Sequence, residues 1–156
     1  MKAKFFFIAM IAGFFSTTVI AQDLAALRKK QFNLDDNIAI DGYDPVAYFK
    51  VNKAVKGKKG LAVNNQGVVY YFSSVENKEE FKKNPSQYEP EYGGWCAYAM
   101  GAKGEKVSID PATFKIINGK LYLFYNSFFN NTLKSWNKDE AKLKPAADAS
   151  WEKIFH

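Results

Sequence analysis

Cys96 is the single cysteine of the chain, and Met100 follows it by four residues. On a helix that spacing sets both side chains on one face, one turn apart. A helix starting near Gly93-Gly94 puts Cys96 in its first turn, where the positive end of the dipole favours a thiolate. A thiolate beside a thioether suits Cu(I) better than Zn(II), which takes four N, O or S ligands in a closed site. Two protein ligands leave such an ion open, so a third donor has to come from elsewhere in the chain, a second chain or a metal carrier protein. The same two residue types also fill cores, here beside Trp95 and Tyr98. Tyr43, Tyr92, Trp95 and Tyr98 offer a further option, an aromatic groove for a small hydrophobic or carbohydrate ligand, and they too have packing as the alternative.

Enzymatic chemistry finds little to work with. Thiol catalysis needs a base near the nucleophile, and the sole histidine, His156, is the last residue. The adjacent carboxylates Asp35-Asp36 fall in a loop and Asp139-Glu140 near a helix start, where the dipole accounts for the latter. We therefore expect a binding protein with no reaction of its own.

The N-terminus sets the compartment. Lys2 and Lys4 precede a mainly apolar stretch from Phe5 to Ile20, ending in Val19-Ile20-Ala21 ahead of the first acidic residue, Asp23. This is the pattern of a cleavable export signal over residues 1–21, which makes the expected location secreted or periplasmic. Ser16, Thr17 and Thr18 break a stretch already shorter than the ~20 residues of a spanning helix. Losing Lys2 and Lys4 lowers the net charge from +6 to +4, and Arg28 is the only arginine. With the planar guanidinium fork nearly missing, nucleic acid is not an expected partner, nor is a membrane after cleavage. One cysteine excludes an internal disulfide, so stability must come from a core in which aromatics, 17% of the chain, are well represented.

An α+β domain is expected, with short antiparallel β-hairpins packed against short helices. A lead-in over residues 22–37 holds a helix at Asp23 to Lys30. Leu61 to Val63 and Val68 to Phe72 read as a hairpin, and Val75 to Lys83 as a helix, with Ser73 and Glu76 at capping-box spacing. Phe114 to Ile117, Asn118-Gly119 and Lys120 to Tyr125 form a second hairpin, followed by a helix through Ser127 to Trp136. Gly67 to Phe72 slides onto Gly119 to Phe124 with Gly, Tyr and Phe in register, and Asp44-Pro45 is echoed by Asp110-Pro111. Both echoes suggest two degenerate units, although aromatic hairpins converge on such patterns. Residues 137–156 read as a covering segment of one or two helices around Pro145, with Trp151 and Phe155 a turn apart.

The run Tyr70-Tyr-Phe-Ser-Ser-Val-Glu-Asn-Lys-Glu-Glu-Phe81, with Pro85 and Tyr88, resembles the YHS domain family. Asp41-Gly-Tyr-Asp-Pro-Val-Ala-Tyr-Phe49 and Tyr92-Gly-Gly-Trp-Cys-Ala97 are similar to its small exported branch. The resemblance implies a single YHS-like domain over residues 38–136 and an association with heavy-metal handling. Metal-associated members of the family carry three cysteines at positions that here hold Ala47, Ser73 and Asn77. None of these supplies a thiolate, so the family's usual metal cluster does not carry over.

Overall fold

The computed structural model describes the backbone of residues 16–155 and the side chains from Gln22 onward, so the export-signal reading lies largely outside the described residues. The architecture is α+β. In chain order, helix α1 (Ser16–Gln31) leads to the two-residue strands β1 (Leu34–Asp35) and β2 (Ile38–Ala39) and to helix α2 (Pro45–Lys50). The hairpin β3 (Lys58–Asn65) and β4 (Val68–Phe72) is followed by α3 (Val75–Lys83) and α4 (Pro85–Tyr88). Helix α5 (Ala97–Lys103) precedes a second hairpin, β5 (Asp110–Ile117) and β6 (Lys120–Phe124). A small hairpin, β7 (Asn126–Ser127) and β8 (Asn130–Asn131), then leads to α6 (Thr132–Trp136) and α7 (Glu140–Phe155). The first sheet has strand order β1-β2-β4-β3, and the two later hairpins are separate two-stranded sheets. Among the described residues no helix is long and apolar enough to cross a membrane.

The two main hairpins repeat one another residue for residue at a spacing of 52. Lys58 pairs with Phe72 and Ala62 with Tyr71 across an irregularity in β3; Asp110 pairs with Phe124 and Phe114 with Leu123 across the same irregularity in β5. The parallel bridge from Ile38 to Val69 recurs as Pro90 to Leu121. Three consecutive left-handed residues precede the helix in both units: Ile40, Asp41 and Gly42 at φ 53°, 49° and 75°, then Tyr92, Gly93 and Gly94 at 55°, 60° and 84°. The amide of Asp44 donates to the Val55 carbonyl at 2.8 Å, and that of Cys96 to Val107 at 2.9 Å. A non-glycine residue with positive φ is uncommon, so the doubled run is strong evidence of two copies of one unit. The Asp110-Pro111 echo is not part of it, because residue 110 aligns with Lys58 and Asp44 aligns with Cys96.

Two cores meet at β6, whose Leu121 and Leu123 join the first and whose Tyr122 and Phe124 face the second. Val68, Tyr70 and Phe72 on one face of β4 pack with Val46, Tyr48 and Phe81. Tyr122 and Phe124 on β6 pack with Tyr92, Met100, Trp136 and Leu143. Between α5 and α7 the approach is so close that a Cβ on Gly101 would lie 2.4 Å from the Leu143 carbonyl oxygen. Helix α1 is held by the Arg28–Glu89 ion pair and by Arg28 stacked over Phe32, 4.5 Å from the ring centre.

Asp44 organises the first unit. Its side chain is fully buried at the head of α2, where Oδ1 accepts from the Val46 and Ala47 amides at 2.9 and 3.3 Å. Oδ2 accepts from the Ser73 amide at 2.8 Å, the Ser73 hydroxyl at 2.6 Å and Asn77 Nδ2 at 2.7 Å. Pro45, with no N–H to satisfy, suits the first helical position. With Ser73 committed to Asp44, it is Ser74 that caps α3, accepting from the Asn77 amide at 3.2 Å. The cap expected at Ser73 is corrected accordingly. The helix expected through Ser127 to Trp136 is also shorter, since Asn131 caps α6 and the preceding residues form the β7–β8 hairpin.

Removing the Asp44 carboxylate strands several buried donors, each costing roughly 1–3 kcal/mol. Asp44→Ala is expected to destabilise the protein by about 3 kcal/mol or more, and the near-isosteric Asp44→Asn by about 2. Ser74→Ala, which removes only a cap, should cost about 1 kcal/mol. Denaturant unfolding monitored by tryptophan fluorescence measures all three.

Candidate functional site: a cavity over Cys96

Cys96 occupies in the second unit the place of Asp44 in the first. It immediately precedes α5, as Asp44 precedes α2, so it is the residue before the helix and not a member of the first turn expected from Gly93-Gly94. Those glycines, with Tyr92, form the left-handed turn ahead of it, and a Cβ on Gly93 would lie 2.7 Å from Phe32 and 2.8 Å from Trp151. The first amide after the hairpin donates to the residue at the helix head in both units. Ser73 N–H does so to Asp44, and Tyr125 N–H to Cys96 Sγ at 3.3 Å.

Thr132 completes the thiol's surroundings. Its hydroxyl donates to the Tyr125 carbonyl at 2.8 Å, which leaves its oxygen free to accept from the Cys96 thiol at 3.4 Å. Cys96 thus donates to one partner and accepts from another, the full capacity of a weakly polar S–H.

What differs between the units is the space above the helix head. Over Asp44 that space is taken by Ser73 and Asn77. Over Cys96 it is a cavity of about 400 Å³, walled by Cys96, Tyr98, Ala99 and Val107, with Lys103 and Glu105 as its charged members. Tyr125, Asn130 and Thr132 belong to the same wall. The volume lies within the ~300–1,000 Å³ range of small-molecule sites.

The positions of the expected site residues are as follows. Met100 stands one turn beyond Cys96, its amide bonded to the Cys96 carbonyl at 3.0 Å, and packs among Tyr92, Tyr122 and Trp136. It is not part of the cavity wall. Of the four aromatic residues, Tyr98 alone lines the cavity. Tyr43 packs with the first core under Lys56, 4.6 Å from its ring centre. Tyr92 donates its hydroxyl to Asp148 at 2.8 Å, and Trp95 Nε1 donates to the Gln31 carbonyl at 2.7 Å. Tyr92, Trp95 and Tyr98 thus share the second core and Tyr43 belongs to the first, so the four do not form one groove. Ala47, Ser73 and Asn77 do converge, all three on Asp44. Among the described residues no cluster of three or more His, Cys, Asp or Glu side chains could hold a metal ion.

No family model, curated protein or solved structure matches this chain. The cavity was not visible in the sequence because its wall comes from residues 96–107 and 125–132, separate segments brought together by the Cys96–Leu123 bridge and by the bonds from Cys96 to Tyr125 and Thr132. One signal was available: the 52-residue repeat brings Cys96 into register with Asp44.

Although it walls the cavity, Cys96 is 0% exposed. Thiol reagents require an accessible thiolate. Native protein is expected to react with a bulky aromatic disulfide on the order of 100-fold more slowly than protein in denaturant. Following release of the coloured thiol measures the two rates; equal rates would place Cys96 at an open surface.

Proposed function

We propose that this chain is an exported, non-enzymatic binding domain whose ligand occupies the cavity over Cys96. The observation that carries the reading is the contrast between the two units. The same helix-head position is filled by Ser73 and Asn77 in one and left as a cavity of about 400 Å³ in the other. A fold built twice and left open once has a place for a guest. The wall is apolar in the main, with a few convergent polar groups, the composition of small-molecule sites. The described site has no nucleophile with a base beside it, which favours binding over reaction. The YHS resemblance is compatible with this reading and adds an exported scaffold whose metal role is reduced, since the three positions implied for cysteines serve Asp44 instead.

A second reading is soft-metal handling, with Cu(I) bound by Cys96. It is favoured by the thiol's place in the cavity wall and by Met100 one turn away. It requires the Met100 side chain to leave its core and a third donor to arrive with a metal carrier.

Titration with indole, a compact neutral aromatic, followed by amide NMR tests the main reading. Saturable shifts are expected at Cys96, Tyr125 and Thr132, and loss of binding in Ala102→Trp, since Ala102 is an exposed member of the cavity wall and the larger ring fills the space. Absence of saturable shifts at those amides would contradict it. Anaerobic Cu(I) titration against a competing chelator, on the wild type and Cys96→Ser, tests the second. Stoichiometric binding that depends on Cys96 would favour copper over the apolar guest.

A further inference from the structure

The hairpin β7–β8 is the part of the second unit that the first lacks. In the first unit the cap of α3, Ser74, follows the end of β4 by two residues. In the second, the cap of α6, Asn131, follows the end of β6 by seven. The added residues make the small hairpin, paired only through Asn126 with Asn131 and Ser127 with Asn130. In the second unit Thr132, the first residue of α6, reaches the Cys96 thiol, and Asn130 of the insertion lines the cavity beside it.

At the tip of the same insertion stand Phe128 and Phe129, with relative exposures of 99% and 106%. Both rings stand clear of the other described residues, and Phe128 is held at φ 46°, a conformation bulky residues rarely adopt. Asn130, the next residue, lines the cavity. Two adjacent aromatics fully in water, one residue from an apolar cavity, are placed to cover what enters it. The charged members of the wall are one lysine and one glutamate, Lys103 and Glu105, so the site presents no net charge to a guest. At the base of the hairpin Asp110 accepts from Asn126 and the Lys134 amide donates to Asn131, again charges of opposite sign and not a cluster of one sign.

We propose that the β7–β8 insertion is a ligand lip, and that the ligand is a neutral molecule with an aromatic or aliphatic body seated over Cys96 and extending onto Phe128 and Phe129. This rests on the cavity being the binding site. It adds the ligand class and two residues that determine specificity for length. A short guest such as indole needs the cavity alone. A longer one gains the rings at the tip.

The probe is N-phenyl-1-naphthylamine, neutral and elongated, whose fluorescence rises on leaving water. The wild type is expected to bind it saturably, and Phe128→Ser/Phe129→Ser to bind it at least tenfold more weakly while binding indole unchanged. Because both rings are fully exposed, the variant should unfold at the wild-type midpoint. If Ala102→Trp abolishes binding of both probes but the double serine variant binds the longer one as tightly as wild type, the cavity stands and the lip is wrong. If the wild type binds neither probe, the cavity reading itself falls and the lip with it. If the serine substitutions instead reduce flotation with phosphatidylcholine vesicles or abolish dimers in solution, leaving probe affinity unchanged, the tip serves a membrane or a second copy and the proposal is overturned.

Discussion

Everything in this fold hangs on what receives the first backbone amide after each main hairpin. A hairpin that ends and a helix that begins elsewhere in sequence leave N–H groups pointing inward, and a buried donor must find an acceptor. Asp44 meets that requirement in the first unit and Cys96 in the second, each from the residue just before a helix. The acceptor therefore joins helix to hairpin across 29 residues in both units. Strand register, the left-handed turn before the helix and the packing of the aromatic face all follow once that junction is closed.

The two acceptors close it with different strength. Asp44 gathers five donors, three of them from residues 73 and 77, so its unit is sealed. A thiol is weaker and has less capacity, and among the described residues the Cys96 side chain makes two hydrogen bonds, to Tyr125 and Thr132. The second unit compensates elsewhere. Gly101 lets α7 lie directly on α5, Tyr92 is tied to Asp148, and Glu140 takes both Trp136 Nε1 and Lys115. Those bonds from Lys115 and Trp136 hold the Glu140 carboxyl below its usual range, while burial and the Asp148 bond push the Tyr92 hydroxyl up. None of these residues is part of the cavity wall, so the contacts hold α5, α6 and α7 together without filling the site.

Much of the scaffold was legible in the sequence, for definite reasons. Asn118-Gly119 between apolar runs fixes a hairpin, and Val68 to Phe72 alternates as a half-buried strand does. The repeat was legible only over the six residues where both units need glycine, tyrosine and phenylalanine. Elsewhere it is carried by backbone conformation, and Ile40-Asp41-Gly42 shares just its last residue type with Tyr92-Gly93-Gly94. Ser73 and Ser74 are chemically equivalent at a helix start, and the choice between them depends on Asp44, 29 residues away. The insertion was hidden because Asn126 to Asn131 contains no glycine or proline to mark a turn. Pro145 left one or two helices open, and the outcome is one: Pro145 falls in the second turn of α7 and the helix continues through it.

One junction is built twice, with a carboxylate in one copy and a thiol in the other. Native-state hydrogen exchange read at the amides of Ser73 and Tyr125 tests it most directly, because those N–H groups are the junctions themselves. Both are expected to exchange only through unfolding of the unit, as slowly as the amides of Tyr70 and Tyr122 in the adjoining strands. Exchange of the Tyr125 amide at the rate of an exposed loop, with Ser73 protected, would show that Cys96 does not stand in for Asp44 and would contradict the account.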